Sequence, residues 1–259
     1  MAEGGILESL LNDDAYRPPE PKTLEDTGIS PVLIEALMLK HVLQVGSITG
    51  RDLAKRMCLS FSLLEDLLTA LRSRQLLVHK GTAGPGDFFY TLTELGAEQA
   101  RATMRSCAYV GPVPVPLEDY ILSVDAQTIR AEPVLKRQLE AAFADISVPT
   151  EMLELLGPAI NSGAGLFLYG APGNGKTLIA RRITKCFGQP IWIPRCICED
   201  GLFIKLYDSA FHEPVTNSEQ GFLKSSSGDP RWIKIRRPTV VVGGELTMDS
   251  LEIRHDPRS

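Results

Sequence analysis

From Ser30 onward the chain alternates between helical and strand-like spacing of its apolar positions. Ser30 is placed to cap a helix, Pro31 fits its first turn, and Leu33, Ala36 and Leu37 keep one face apolar. Thr49-Gly-Arg-Asp52 has capping-box form with Asp in place of Glu and opens RDLAKRMCL, a second helix. Ser62-Leu-Leu-Glu65 is a full box that predicts the start of a third, with Leu64, Leu67, Leu68 and Leu71 on one stripe. QLLVHK and DFFYTL read as the arms of a β-hairpin whose long tip is GTAGPG, and a further helix is predicted from Thr93. Tyr109 to Pro116, YVGPVPVP, should be extended and semi-rigid and marks a domain boundary. LEDYILSVDAQTIR and PVLKRQLEAAFAD carry helical spacing, and VPTEMLELLGPAINSGAG leads into the second half.

There the pattern changes to something with a chemical meaning. Gly165-Leu-Phe-Leu-Tyr169 predicts a short buried parallel strand, Leu178 to Phe187 a helix, and between them stands Gly170-Ala171-Pro172-Gly173-Asn174-Gly175-Lys176-Thr177. This matches G-x-x-x-x-G-K-[ST] without a mismatch and in the strand, loop, helix order that the pattern requires. A polyphosphate needs backbone N–H groups converging on it with no side chain in the way, which is the use of Gly170, Gly173 and Gly175. The helix N-terminus that follows favours an anion through its unpaired N–H groups and its dipole. Lys176 supplies a point charge for the β- and γ-phosphates, and the Thr177 hydroxyl is a hard oxygen ligand for Mg²⁺. The residues expected to hold the nucleotide are Gly170, Ala171, Pro172, Gly173, Asn174, Gly175, Lys176, Thr177 and Leu178. Lys176 is the catalytic candidate and Thr177 the metal ligand.

The 259 residues are 44% hydrophobic and 23% charged, enough for two modest domains, and the net charge of −5 argues against a protein that coats nucleic acid or an anionic membrane. No run of about 18 apolar residues and no signal sequence is present, so no membrane role is expected. Five scattered cysteines, an odd number, fit a reducing cytoplasm.

Two resemblances follow from these residues. The order helix, helix, helix, hairpin, helix over about Ser30 to Arg105, with FFYTLTELGAEQA at its end, resembles a winged helix-turn-helix. LFLYGAPGNGKTLIA, preceded by VPTEMLELLGPAINSG and with PVPLEDY upstream and RRPTVVVGGELT downstream, resembles a prokaryotic AAA+ ATPase of P-loop NTPase type. The resemblance implies an α/β fold, an αβα P-loop core behind an α+β winged-helix domain, ATP with Mg²⁺ as cofactors, ATP hydrolysis, and assembly of copies into a ring. Its domains would be an acidic, Pro-rich tail (1–26), the winged helix (27–108), a linker with helices (109–150) and the N-terminal part of the AAA+ core (151–259).

Hydrolysis also needs an acidic pair at the end of a neighbouring strand, and no apolar run after Thr177 ends in Asp-Glu. Ile191 to Cys198 reads as a core strand turning through Asp200-Gly201 into LFIKLYD, so Glu199 and Asp200 fall at a turn tip. Pro238 to Val242 leads only to the lone Glu245. The chain is therefore expected to be an incomplete AAA+ module that binds nucleotide and needs further elements for turnover.

Other readings are a DNA-binding regulator with a nucleotide switch and a P-loop phosphotransferase. The third helix argues against duplex binding, because Glu65 and Asp66 stand where phosphate repulsion would be worst, so a protein partner for the winged helix is preferred. A nucleotide kinase usually opens with its P-loop, which here lies well past mid-chain. Cys196 and Cys198 lack the spacing and number of a zinc site and are read as structural. Trp232, Lys234 and Arg236 share a strand face that could stack a base, with an exposed charged edge strand as the plainer reading. Lys224 to Asp229 reads as a mobile loop, and His212 as a packing or surface residue.

Overall fold

The computed structural model describes residues 16–129, 133–215, 228–239 and 241–242, and over them the protein is mixed α/β with three small sheets. The expectations for Glu245, for residues 1–15 of the tail and for 224–227 of the loop lie outside the described residues.

In the N-terminal part, helices α1 (Pro31–Val45), α2 (Gly50–Met57) and α3 (Phe61–Ser73) are followed by strands β2 (Leu77–Gly84) and β3 (Asp87–Leu92) and helix α4 (Glu94–Ser106). A short strand β1 (Ile48–Thr49) completes an antiparallel sheet of order β1-β3-β2. Its core takes Ile34, Leu37, Met38 and Val42 from α1, Leu53 and Met57 from α2, and Leu64, Leu67, Leu68 and Leu71 from α3, the stripe expected from the sequence. Thr49 caps α2 as predicted, its hydroxyl accepting from the Asp52 amide at 3.0 Å. That N-terminus has a second partner: the buried Asp87 carboxylate, reaching over from β3, accepts from Gly50 N at 2.9 Å and Arg51 N at 3.2 Å. Thr93 caps α4 through Gly96 N, and Gly96 packs so tightly on Leu76, the residue before β2, that a Cβ there would lie 2.0 Å from the Leu76 carbonyl oxygen.

Two local expectations are corrected. Helix α3 begins at Phe61 with Ser60 at its N-cap, so Ser62 is already helical and the apparent box at Ser62–Glu65 does not open it; Ser60 and Ser62 instead hydrogen-bond each other at 3.1 Å. The hairpin tip is short: β2 continues through Gly81 and Thr82 to Gly84 with two irregularities, leaving Pro85-Gly86 as the turn, because backbone pairing with β3 satisfies the polar groups of GTAG. Ser30 occupies the predicted N-cap of α1 without a side-chain bond to the helix.

The segment leaving α4 is pinned by α1. Buried Lys40 donates from Nζ to the carbonyls of Cys107 (2.7 Å) and Tyr109 (3.2 Å), and buried His41 donates from Nε2 to Gly111 O (2.9 Å). Val113 reaches the N-terminal core, and the chain enters a second sheet as β4 (Val115–Pro116), parallel to β6 (Cys196–Glu199), which pairs antiparallel with β7 (Leu202–Lys205). Asp200 and Gly201 both have positive φ, 48° and 77°, the hairpin turn expected of Asp-Gly. The expected single strand 191–198 is broken at Arg195: its first half, β5 (Ile191–Pro194), pairs instead with β8 (Trp232–Ile235) in a two-stranded sheet.

The two parts are joined by the guanidinium of a buried ion pair. Arg231 and Asp229 are both buried, with NH2 to Oδ2 at 2.8 Å, and Arg231 NH1 also donates to Thr27 O (2.8 Å) and Pro114 O (3.1 Å). Asp229 is thus a packed anchor rather than a loop tip. Trp232 is 4% exposed, with Tyr16 against its ring at 5.9 Å, so it is not available to stack a base; the Trp ring beside Lys234 is Trp192, 5.8 Å away. The free edge of β8 is covered by residues 213–215, which bond Lys234 O and Arg236 N, so it is not an open edge strand.

Helices α5 (Leu117–Ala126), α6 (Lys136–Ala142), α7 (Thr150–Asn161) and α8 (Lys176–Lys185) complete the described elements. A second core forms where Leu139 and Phe143 meet Leu156 and Ile160 of α7, with Ile179, Ile183 and Cys186 from α8 and its end. No helix among the described residues is long and apolar enough to cross a membrane.

Candidate functional site

The loop between Tyr169 and α8 takes the form its glycines allow. Gly170, Gly173 and Gly175 all have positive φ (146°, 86° and 70°), a region L side chains rarely adopt. A Cβ at Gly173 or Gly175 would meet nothing within 4 Å, so these positions need glycine for backbone conformation and not for space. Gly175 is the N-cap of α8 in left-handed geometry, and the first intrahelical bond comes from Ile179 N to Gly175 O at 2.9 Å. The amides of Lys176, Thr177 and Leu178, in the first turn, therefore have no intrahelical acceptor.

Lys176 folds back over the loop and its Nζ donates to Gly170 O at 2.9 Å and Ala171 O at 2.7 Å. This holds an ammonium at the mouth of a helix N-terminus, the arrangement that suits an anion. Thr177 and Leu178 are exposed, and Ala171, Pro172 and Asn174 line an open, solvated turn. All nine sequence-expected residues are thus contiguous around one helix start. No group of three or more His, Cys, Asp or Glu side chains that could hold a metal occurs among the described residues.

The strand expected to carry this loop is not formed. Residues 165–169 have no regular secondary structure and pair with no strand among the described residues; Phe167 and Tyr169 are 83% and 84% exposed, their rings stacked at 6.1 Å. Only Leu168 packs inward, on the α6–α7–α8 core. The expectation of a buried parallel strand is corrected on this point: residues 165–169 form no ladder, and two of their side chains, Phe167 and Tyr169, stay in solvent instead of being covered on both faces.

Helix α8 is instead held by side chains that sequence reasoning passed over. Arg182 makes a two-pronged contact with the Asp145 carboxylate, Nε to Oδ1 at 2.9 Å and NH2 to Oδ2, and this guanidinium holds the Asp145 carboxyl below its ordinary value. Asn161, at the end of α7, bonds both the N–H (2.8 Å) and the C=O (3.1 Å) of Val134. No spacing signal links these partners, which lie 37 and 27 residues apart; only the fold brings them together. A cleft of about 290 Å³ lined by Val134, Leu139, Leu153, Gly157, Pro158 and Asn161 opens beside this bond and includes no loop residue. His212, read as a packing or surface residue, accepts at Nδ1 from Asp208 N at 3.0 Å and stacks on Tyr207. Glu199 and Asp200 stand exposed at the β6–β7 turn, as expected.

No protein-family model and no curated protein matches the chain. Among solved structures it is similar to the one titled "Structure of reduced AbfR bound to DNA", at 20% identity over 42% of this chain and 76% of that one, with a TM-score of 0.27. A similarity at that score does not define a shared fold.

Proposed function

We propose that the protein is an ATP-binding module of AAA+ type, with Mg·ATP held by Gly170 to Leu178 behind an N-terminal winged helix-turn-helix. The observation that carries this reading is the glycine loop itself: three glycines in positive-φ geometry deliver a lysine ammonium and three unpaired amides to one helix start. Those donors fit a polyphosphate, with the Gly170 and Ala171 carbonyls giving up the ammonium to phosphate oxygens. The exposed Thr177 hydroxyl fits one position of a Mg²⁺ shell whose remaining ligands are phosphate oxygens and water. Bound Mg²⁺ would neutralise charge on the β- and γ-phosphates, and Lys176 would act as the charged group touching the reacting phosphate. Turnover as an ATPase belongs with carboxylates supplied from outside the described residues, and ring assembly of copies in the cytoplasm fits the same reading.

Fluorescence titration with a labelled ATP analogue in Mg²⁺ tests it. Lys176→Ala should weaken binding by roughly tenfold or more, the loss of one charge-assisted phosphate contact. Equal affinities in wild type and variant would reject the site.

For the winged helix we propose a protein partner in preference to DNA. The exposed face of α3 carries Ser62, Glu65 and Asp66, carboxylates where a duplex presents phosphate. Salt-sensitive duplex binding by the full chain would reverse that preference.

A further inference from the structure

We infer that Cys107 and Cys198 form a peroxide-responsive thiol pair that can staple the β6–β7 hairpin to the end of α4. This inference stands apart from the nucleotide reading and rests on how the hairpin docks. Cys198 is the cross-strand partner of Phe203 and lies two residues from Cys196, so these three side chains share one face of the hairpin. That face is turned to the N-terminal part: the Phe203 ring meets Tyr109 edge-on at 5.5 Å, and Cys198 packs against the N-terminal core.

Lys40 fixes the backbone that carries the other thiol. Its Nζ lies 5.9 Å from the centre of the Phe203 ring and 2.7 Å from the carbonyl oxygen of Cys107, so Cys107 is tied to the spot against which Phe203 and its neighbour Cys198 are seated. The Cys107 thiol is also within electrostatic reach of both Cys196 and Cys198.

The alternatives in the cluster are poorer. Cys196 is fully buried, and its Cβ and that of Cys198 leave one strand face side by side, whereas a disulfide needs Cβ atoms that approach. Cys58 closes α2 in left-handed geometry and faces Arg195 and the Asp229–Arg231 pair. Cys186 belongs to the other core. Cys107 and Cys198 are both half-buried, reachable by a small oxidant.

Burial and the charges of Glu199 and Asp200 push the Cys198 thiol up, which makes it the resolving partner. The Cys107 sulfur attacks one oxygen of hydrogen peroxide and the O–O bond breaks. A sulfenic acid remains on Cys107, and the departing hydroxide takes the thiol proton as water. The Cys198 sulfur then attacks the sulfenic sulfur, the S–O bond breaks, a second water leaves and the S–S bond forms. Two thiols and one peroxide become one disulfide and two waters.

The test exposes the full chain to hydrogen peroxide, blocks the remaining thiols with iodoacetamide and maps the peptides by mass spectrometry. The expected result is a peptide pair linked through Cys107 and Cys198, lighter by two hydrogens, with free thiols falling from five to about three and dithiothreitol restoring them. Cys107→Ser and Cys198→Ser, shown by circular dichroism to be folded, should each abolish the link, and Cys58→Ser and Cys186→Ser should leave it. A wild-type protein that forms no such link, or a link that survives in Cys107→Ser, overturns the inference.

Discussion

Arg231 shows how much one side chain can fix. It satisfies a buried carboxylate and two carbonyls, Thr27 O and Pro114 O, that are 87 residues apart in sequence. Removing one partner of such a pair strands the other charge in a place water does not reach. Arg231→Met should therefore cost about 3–5 kcal/mol in urea unfolding, and the double change Asp229→Asn with Arg231→Met distinctly less. Equal losses would show that the Asp229 carboxylate is not what suffers. His41 makes a second case. Burial, with Arg56 and Lys40 nearby, lowers its pKa in the folded state, and its Nδ1 is buried without a partner. Above its ordinary value near 6.5 both folded and unfolded His41 are neutral and nothing changes. As pH falls through that value the unfolded chain takes the proton first, so stability should drop. Unfolding midpoints between pH 7.5 and 5.5 should fall more for wild type than for His41→Gln, which can still donate to Gly111 O; parallel curves would exclude the effect.

At the scale of elements, α4 fits closely against the backbone that leads into β2. Gly96→Ala places a methyl group 2.0 Å from a backbone oxygen, so one of the two elements must move. A loss of about 1–3 kcal/mol in thermal or urea unfolding is expected, against a near-neutral result if α4 could simply shift. Helices α1 to α4 and the hairpin were legible in the sequence because each carries its own local signal: a leucine stripe, the Thr49 and Thr93 caps, alternation in DFFYTL. What was not legible depended on partners. Nothing local tells that Arg195 breaks a strand between two sheets, that Trp232 is buried beneath Tyr16, or that Phe167 and Tyr169 stay exposed. The misplaced start of α3 has a simpler cause, since Ser60 and Ser62 are equally good caps and the chain uses the earlier one.

For the molecule as a whole, two apolar cores each carry their own polar pins. The N-terminal core is closed by the Lys40 and His41 bonds to the 107–111 segment and by the Arg231 anchor, while the second core seats α8 through Ile179, Ile183 and the Arg182–Asp145 contact. The glycine loop thus projects from a helix held on one side and from a strandless segment open on the other. Its glycine geometry and lysine were readable from eight consecutive residues because that chemistry is local; the sheet around it was not. Hydrogen exchange of the Gly173 to Leu178 amides, with and without Mg·ATP, addresses the loop directly. Exchange slowed by about tenfold or more in wild type and unchanged in Lys176→Ala is the expected result. Identical exchange with and without nucleotide at saturating concentration would contradict phosphate binding at this helix start.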